Sequence, residues 1–305
     1  MIKLGVVIVT YNRLNLLKEC IDAVLNQTYK FDEIYIVNNA STDGTREYLD
    51  SINKKNLNVE HLNENLGGSY GFFKGVEYFE NSKLDYILLI DDDAIIDKDY
   101  NKNIVEVIKK NNKGIIAYSG TVKTNNEIQY NHRQYLKNSN EFVRINTKLS
   151  DYESEYFDYD ISTFCGIYIP VKIIKKIGLP NKDFFIWLDD TEYCLRLLNY
   201  GKIRNVNNAN LNHKTNITEN VSYNWKSYYG LRNNVYILKK YFDKNQLNKF
   251  IFDMKIKIIG GKVLSVLKRD KYYNNVVQLY KDALNDGMNE NLGKNQKYIP
   301  SFKLR

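Results

Sequence analysis

Two groups of acidic residues and one histidine are the parts of this 305-residue chain whose types and spacing could do chemistry. Asp91, Asp92 and Asp93 follow directly on the apolar run Tyr86-Ile87-Leu88-Leu89-Ile90, which puts three carboxylates at the end of a buried strand. Side chains of an extended segment alternate between faces, so Asp91 and Asp93 are expected to converge while Asp92 points elsewhere. Repulsion between two carboxylates at the mouth of a low-dielectric sheet is offset most simply by a hard divalent ion, Mn2+ or Mg2+, which takes oxygen ligands and shares them with phosphates. An acidic turn in water is the plainer alternative. The second group, Asp189, Asp190 and Glu192, places three carboxylates in four residues beside Trp187. Acids in a first helical turn cap the helix and suit its dipole. One of them could instead take the proton of a sugar hydroxyl, a step that needs an acceptor within hydrogen-bond reach in a partly desolvated pocket, with Trp187 as an apolar wall or as core. Of the three histidines, His61 lies inside a strand and reads as structural, while His132 falls in an irregular, solvated stretch. His213 follows a strand-like segment, 203–206, and either serves the fold or binds a metal.

The elements that must position these groups alternate in type. Residues 4–9 are a β-branched run, as in a strand covered on both faces. Leu14, Leu17, Ile21, Val24 and Leu25 then recur at helical spacing, with Asn12 as the cap and Cys20 beside the stripe, in the core. Further strands are read at 34–37, 59–62 and 86–90. A turn at 41–44 opens a short helix, and the loop 63–68 opens a longer one through Phe72, Phe73, Val76 and Phe79. This alternation predicts a doubly wound α/β sheet, in which ligands sit beyond the carboxyl ends of the strands. Segments 10–13, 38–43, 63–68 and 91–93 all fall at such ends, so one crevice can collect them. Neither GxGxxG nor GxxxxGK[ST] is present, so the fold is not dinucleotide-binding or phosphate-loop by signature, and a bridging metal is left to handle phosphate. Beyond a polar, poorly patterned stretch, 124–160, a strand is read over 162–169, a short helix after Pro170, and a helix beginning at the second acidic group. From Tyr223 the pattern is helical and basic, and a tail, 285–305, has little periodicity. The expected organisation is a main domain over 1–222 with a helical extension, 223–305, packed on it.

At 43% hydrophobic and 26% charged, the composition is that of a soluble globular protein. Cys20, Cys165 and Cys194 are odd in number and widely spaced, so buried thiols in a reducing compartment are expected and disulfides are not. No secretory signal is evident, and no run reaches the roughly 20 apolar residues that span a bilayer. The expectation is therefore a cytoplasmic protein whose membrane contact, if any, is peripheral, at the inner face of the plasma membrane. A net charge of +8 invites a nucleic-acid reading, but the charge is spread thinly until Lys255, Lys257, Lys262, Lys268, Arg269 and Lys271, and no zinc-finger or RNA-binding signature accompanies it. Anionic lipid or a nucleotide substrate suits it as well.

Ordered blocks along the chain carry a family resemblance: Val7-Ile8-Val9-Thr10-Tyr11-Asn12-Arg13, Val37-Asn38-Asn39-Ala40-Ser41-Thr42-Asp43-Gly44-Thr45, Asn63-Glu64-Asn65-Leu66-Gly67-Gly68, Asp91-Asp92-Asp93, Trp187-Leu188-Asp189-Asp190-Thr191-Glu192, His213, and Tyr228-Tyr229-Gly230-Leu231-Arg232-Asn233. With these the chain resembles the inverting family-2 glycosyltransferases of GT-A fold, particularly the bacterial galactofuranosyl- and rhamnosyltransferase-like branch. The resemblance implies a mostly parallel, Rossmann-like sheet with a C-terminal helical extension. It also implies metal-dependent transfer of a sugar, galactofuranose ahead of rhamnose, from a UDP or dTDP donor to a hydroxyl of a glycan or lipid-linked glycan acceptor. By the same resemblance, Thr10, Tyr11, Arg13 and Asn38 hold the nucleoside, Asn65, Gly67 and Gly68 approach the donor closely, and Asp92 and Trp187 belong to the donor site. Asp91, Asp93 and His213 then bind Mn2+ or Mg2+, Asp190 is the catalytic base, and Asp189 and Glu192 orient it or the acceptor. Asn38 departs from the Asp of many relatives, although an amide oxygen accepts the same bond from a pyrimidine N3–H.

Two other classes stay open. A sugar nucleotidyltransferase would share the fold, but the glycine-rich, Arg-bearing loop expected near its N-terminus is missing. The other is a non-catalytic glycan- or membrane-binding protein. Residues 250–259 mix apolar and basic side chains and either lie on anionic lipid or pack on the main domain, and packing is the expectation because such patterns are common in globular helices.

Overall fold

The computed structural model describes every residue except 111, 112, 139, 216–222, 303 and 305. Two compact units emerge, one from Met1–Leu136, Arg144–Lys182 and Asp190–Asn216, the other from Lys137–Val143, Asp183–Asp189 and Ile217–Arg305. In chain order the elements are β1 (Leu4–Thr10), α1 (Leu14–Leu25), β2 (Glu33–Asn38), α2 (Thr45–Asp50), β3 (Leu57–His61), α3 (Gly68–Phe79), β4 (Tyr86–Asp91), β5 (Ala94–Ile96), α4 (Tyr100–Ile108), β6 (Ile115–Thr124) and β7 (Glu127–Ile128). There follow β8 (Arg133–Asn138), β9 (Glu141–Asn146), β10 (Tyr156–Tyr159), β11 (Ile161–Ser162), β12 (Ile167–Pro170), α5 (Val171–Ile177), α6 (Asp189–Leu197), β13 (Lys202–His213), α7 (Trp225–Tyr241), α8 (Lys244–Lys268) and α9 (Lys271–Met288).

The main sheet runs β10-β13-β6-β12-β4-β1-β2-β3. Strands β4, β1, β2 and β3 are parallel, with Val9 opposite Asp91, Thr10 opposite Asn38, and Asn38 opposite His61, so their carboxyl ends share one edge. Strand β12 is antiparallel to both β4 and β6, and β13 is parallel to β6. Two reversals restore direction, so β13 delivers His213 to the same edge as the aspartates, where it pairs with Ala94 of β5. The expected α/β architecture with a mostly parallel sheet is what the chain adopts.

Alternation along β1 explains why both faces are covered. Leu4, Val6 and Ile8 enter one apolar layer with Leu17, Cys20, Ile21 and Val24 of α1, while Val7 and Val9 enter the other with Phe72, Val76 and Phe79 of α3. Each fully buried aliphatic side chain contributes about 1.5–3 kcal/mol, so β1 stabilises both layers at once. Helix α3 reaches β1 through glycines: a Cβ on Gly75 would stand 2.1 Å from Val7 Cγ1, and one on Gly71 would stand 2.5 Å from Val9 Cγ1.

Four local expectations are corrected. Asn12 does not cap α1; it has a φ of 53°, and the Leu14 N–H donates instead to Asp43 Oδ2, a cap supplied from another loop. The strand read over 162–169 is broken into β11 and β12, because Gly166 turns the chain at a φ of 87° and donates its N–H to the Leu89 carbonyl. The stretch 124–160 is not patternless. It forms β7 to β10, of which β9 is largely exposed and gives no buried apolar alternation to read, and β8 joins β9 and β11 in a separate three-stranded sheet. The strand before His213 is twelve residues long, with an irregularity between Val206 and Asn210 that interrupts its pattern.

The second unit packs α7, α8 and α9 around Tyr228, Tyr229, Val235, Met254, Leu279, Tyr280 and Ala283. The tail read as aperiodic supplies core: Tyr298 is wholly buried and stacks on Tyr228 at 4.2 Å between ring centroids. Among the described residues no helix is long and apolar enough to cross a membrane.

Candidate functional site

Where β1 and β4 end, polar side chains close on one another. Thr10 is buried and donates its hydroxyl to Asp92 Oδ2 at 2.7 Å. Arg13 Nη1 lies 2.5 Å from Asp93 Oδ2 and 3.3 Å from Asp92 Oδ1. Strand β4 stops at Asp91 and the chain turns at 92–93, so alternation no longer applies, and Asp92 does not point away from the site as expected. His213 Nε2 stands 3.3 Å from Asp93 Oδ1. Burial, then repulsion from Asp93 and Asp92, pushes the Asp91 carboxyl up to about 7. Burial also lifts Asp92, to about 6, against the Thr10 hydrogen bond. Asp93 goes the other way: burial opposes it, but the His213 ring and Arg13 hold this carboxyl below its ordinary range.

The expectation for His132 fails. Rather than being solvated, it places Nδ1 2.8 Å from Thr163 Oγ1 and sets its ring edge-on to that of His213, with centroids 5.1 Å apart. Burial, then the charge of Arg133, pushes it down to about 3, so it is a neutral imidazole. Arg133 itself is wholly buried and donates from Nη2 to the carbonyls of Gly120 and Cys165, tying β8 to β6 and to the turn before β12. Nothing in the sequence signals this histidine pair, because 132 and 213 meet only through β8 and β13.

Beside this cluster lie two loops. Asn38 is fully buried; its Oδ1 accepts from the Ser41 N–H and its Nδ2 meets His61 Nδ1 at 2.9 Å. His61 is thus structural, as expected, and Asn38 shapes the 39–41 turn, where Ala40 takes a φ of 60°. Asn39 links this turn to the next: its Nδ2 donates to Asn65 Oδ1 and its Oδ1 accepts from the Leu66 N–H. Gly67, at a φ of 87°, then opens α3, and a Cβ on Gly68 would meet nothing within 4 Å. Tyr11 is 42% exposed above these turns.

The second acidic group starts α6. Asp190 accepts the Thr191 N–H at 2.5 Å, and Arg144 donates to Thr191 Oγ1 at 3.4 Å. Burial raises the Asp190 carboxyl above its ordinary range, against the Thr191 hydrogen bonds and the Arg144 charge. Glu192 is buried in an ion pair with Arg196 at 2.7 Å, and Arg196 in turn donates to the carbonyls of Ile177 and Leu179. Asp189 is buried. Ahead of it, Phe185, Trp187 and Leu188 have φ values of 66°, 68° and 68°, each costing on the order of 1 kcal/mol or more for a bulky side chain. Asn233 holds that segment by donating Nδ2 to the carbonyls of Phe184, Ile186 and Trp187, and Arg232 donates to Phe184 as well. Trp187 is 45% exposed and lies over Gly230, where a Cβ would come within 2.8 Å of the ring. The block at 228–233 is therefore a clamp on the segment that leads into Asp189 and Asp190.

The two acidic groups are linked by contacts within the first unit. One turn after Asp190, Cys194 Sγ bonds the backbone of Ser162; Thr163 touches His132; His132 packs on His213; His213 touches Asp93. All three cysteines are buried and free, as expected.

Whether the site suits a divalent ion can be tested on its atoms. His213 Nδ1 is buried and lacks a hydrogen-bond partner, Asp93 Oδ1 is buried against His213 Nε2 at 3.3 Å, and carboxylates with an imidazole form a donor set that Mn2+ accepts. Among the described residues no three such side chains already stand at ligand spacing, and Arg13 supplies the positive charge beside Asp93. The donor chemistry fits.

Comparison with known proteins gives a consistent result. The family model described as "Glycosyl transferase family 2" matches residues 5–170. The chain is 26% identical over 179 residues to the glycosyltransferase GlyA of Streptococcus pneumoniae serotype 4, covering 57% of this chain and 24% of that one. It is 34% identical over 127 residues to a glucosyl-dolichyl phosphate glucuronosyltransferase of Haloferax volcanii, covering 39% of this chain and 38% of that one. The solved structure of GalNAc-T7 with UDP, GalNAc and Mn2+ aligns with a TM-score of 0.64 at 15% identity, over 95% of this chain and 56% of that one, a likeness of fold. The chain thus spans well under two thirds of each of these relatives.

Proposed function

Because this chain belongs to glycosyl transferase family 2, we propose that it transfers a sugar from a nucleoside-diphosphate donor to a hydroxyl of a glycan or lipid-linked glycan acceptor, inverting the anomeric carbon. The observation that carries this reading is the convergence of Thr10, Arg13, Asp92, Asp93 and His213 at the carboxyl edge of the sheet. The turns at 11–13, 38–43 and 65–68 would cradle the nucleoside and its diphosphate, with Tyr11 as an exposed ring for the base or the sugar.

Asp190 acts as the base. Its raised pKa keeps a usable affinity for the acceptor's proton, which a carboxylate in open water lacks. As the proton passes to Asp190, the acceptor oxygen attacks the anomeric carbon, and the bond to the diphosphate oxygen breaks on the opposite face with its electron pair. Asp189 and Glu192 orient that base, Glu192 through its fixed ion pair with Arg196. Asp91, Asp93 and His213 would hold Mn2+ or Mg2+. When bound, such an ion supplies Lewis-acid neutralisation of the diphosphate charge. Arg13 adds a fixed positive charge at the same place.

We rank galactofuranose ahead of rhamnose by resemblance alone, since the aspartate triplet and the Trp-x-Asp-Asp-x-Glu arrangement are similar to that branch. A panel of UDP- and dTDP-sugars, supplied with Mn2+ and candidate acceptors and read by nucleotide release, tests the proposal. Acceptor-dependent release of UDP or dTDP from one donor supports it. Release of pyrophosphate from a nucleoside triphosphate and a sugar phosphate would replace it with nucleotidyl transfer.

A further inference from the structure

We propose that the outward face of α8 docks on an anionic membrane surface, an inference independent of the reaction above. Helix α8 is apolar on two sides. Met254 is buried, with Leu247, Phe250 and Ile258 packed into the same core, and Gly261 brings the helix against α9, where a Cβ would stand 2.6 Å from Val277 Cγ2. On the opposite side, Phe252, Ile256, Ile259, Val263, Val266 and Leu267 are 62%, 52%, 62%, 53%, 75% and 74% exposed. At 3.6 residues per turn these six fall within an arc of about 100°, one continuous stripe along the helix. Singly exposed aliphatics are ordinary on a soluble protein, whereas a contiguous stripe marks a surface that something covers.

Charge identifies the occupant. Lys255 and Lys262 border the stripe on one side and Lys249 on the other, while Lys268, Arg269 and Lys271 cluster at its end; all six are exposed. Asp253 is the sole acidic residue within α8. An apolar stripe rimmed by cations matches the boundary between acyl chains and anionic headgroups, where lysine stems extend along the apolar layer and place their ammonium groups among phosphates. A second copy of this chain would instead bring like-charged rims together. With no helix long and apolar enough to cross a membrane among the described residues, α8 would lie in the interface plane. Within residues 250–259, Phe250, Met254 and Ile258 pack into the core of the second unit, whereas Phe252, Ile256 and Ile259 belong to the stripe.

Cosedimentation of the full chain with vesicles tests this. Phosphatidylcholine vesicles containing about a quarter phosphatidylglycerol should pellet the protein on the order of tenfold more strongly than phosphatidylcholine alone, with the difference shrinking at high salt. The combined variant Phe252→Gln, Ile259→Gln, Val266→Gln should lose on the order of tenfold in partitioning with an unchanged thermal melt, since those side chains face solvent. Replacing Lys255, Lys262 and Arg269 with Gln should remove the preference for the anionic vesicles. Equal pelleting of wild type and the apolar variant, or none with anionic vesicles, overturns the proposal. A wild-type dimer in analytical ultracentrifugation that the apolar variant converts to monomer would assign the stripe to a second copy instead.

Discussion

The two acidic groups are held by opposite means. Asp91, Asp92 and Asp93 sit at the end of a strand buried in the sheet, and their partners, Thr10 and Arg13, come from the neighbouring parallel strand and the turn after it. Asp189 and Asp190 follow a segment, 185–188, that belongs to no helix or strand itself. Phe185, Trp187 and Leu188 occupy the left-handed region, and the side chain of Asn233, more than forty positions later, holds the carbonyls of Phe184, Ile186 and Trp187. On the proposed roles, a group that grips charge can rest largely on sheet geometry, whereas one that places a base against a hydroxyl requires tighter positioning; strained backbone persists only where its surroundings over-determine it.

Breaking each group in turn should separate the roles. The largest effect is expected from Asp190→Asn, which keeps the shape and removes the proton acceptor: kcat should fall by about 100- to 10,000-fold with the donor KM little changed, and steady-state nucleotide release with a saturating acceptor would show it. A kcat within tenfold of wild type would exclude Asp190 as the base. Asp93→Asn should come next, with a loss on the order of a hundredfold and weakened Mn2+ dependence, visible as a raised half-saturation concentration for the ion. Asn233→Ala sharpens the contrast, since it releases the 184–187 carbonyls and leaves the aspartate triplet intact. We expect about a tenfold fall in kcat, unchanged Mn2+ affinity and about 1–3 kcal/mol of lost stability. A donor KM that moved instead would place the clamp on the wrong side of the reaction.

The smallest effect is expected from Asp43→Ala. It removes the carboxylate that accepts from the Leu14 N–H and from Thr45, and should cost about 1 kcal/mol in a chemical denaturation. Burial acts against it, but the Thr45 and Leu14 hydrogen bonds hold the Asp43 carboxyl below its ordinary value. That contribution is therefore present at neutral pH and is lost as pH falls through the folded-state value, so wild type and variant should converge in stability in acid.

Much of the first group was legible before any coordinates. A β-branched run followed by a helical stripe can be satisfied only by a strand covered on both faces, and the aspartates then fall at a strand end by position alone. The alternation rule misjudged Asp92, because the strand stops at Asp91, two residues before the acids do. The antiparallel β12, the polar hairpin of β8 and β9, and the contact of His132 with His213 left no periodic trace. Exposed strands need no apolar alternation, and pairing over eighty positions has no local signature.

By itself, then, the order of residues determined the α/β class, the family blocks, the buried free thiols and the clustering of acids at strand ends, because each depends on local periodicity or composition. Only tertiary structure decided that Arg13 faces two aspartates, that Asn233 clamps a strained loop, that the aperiodic tail buries Tyr298, and that α8 leaves one apolar face in water. Those outcomes depend on which distant surfaces meet, and a side chain's neighbours across the fold are set by the packing of whole elements.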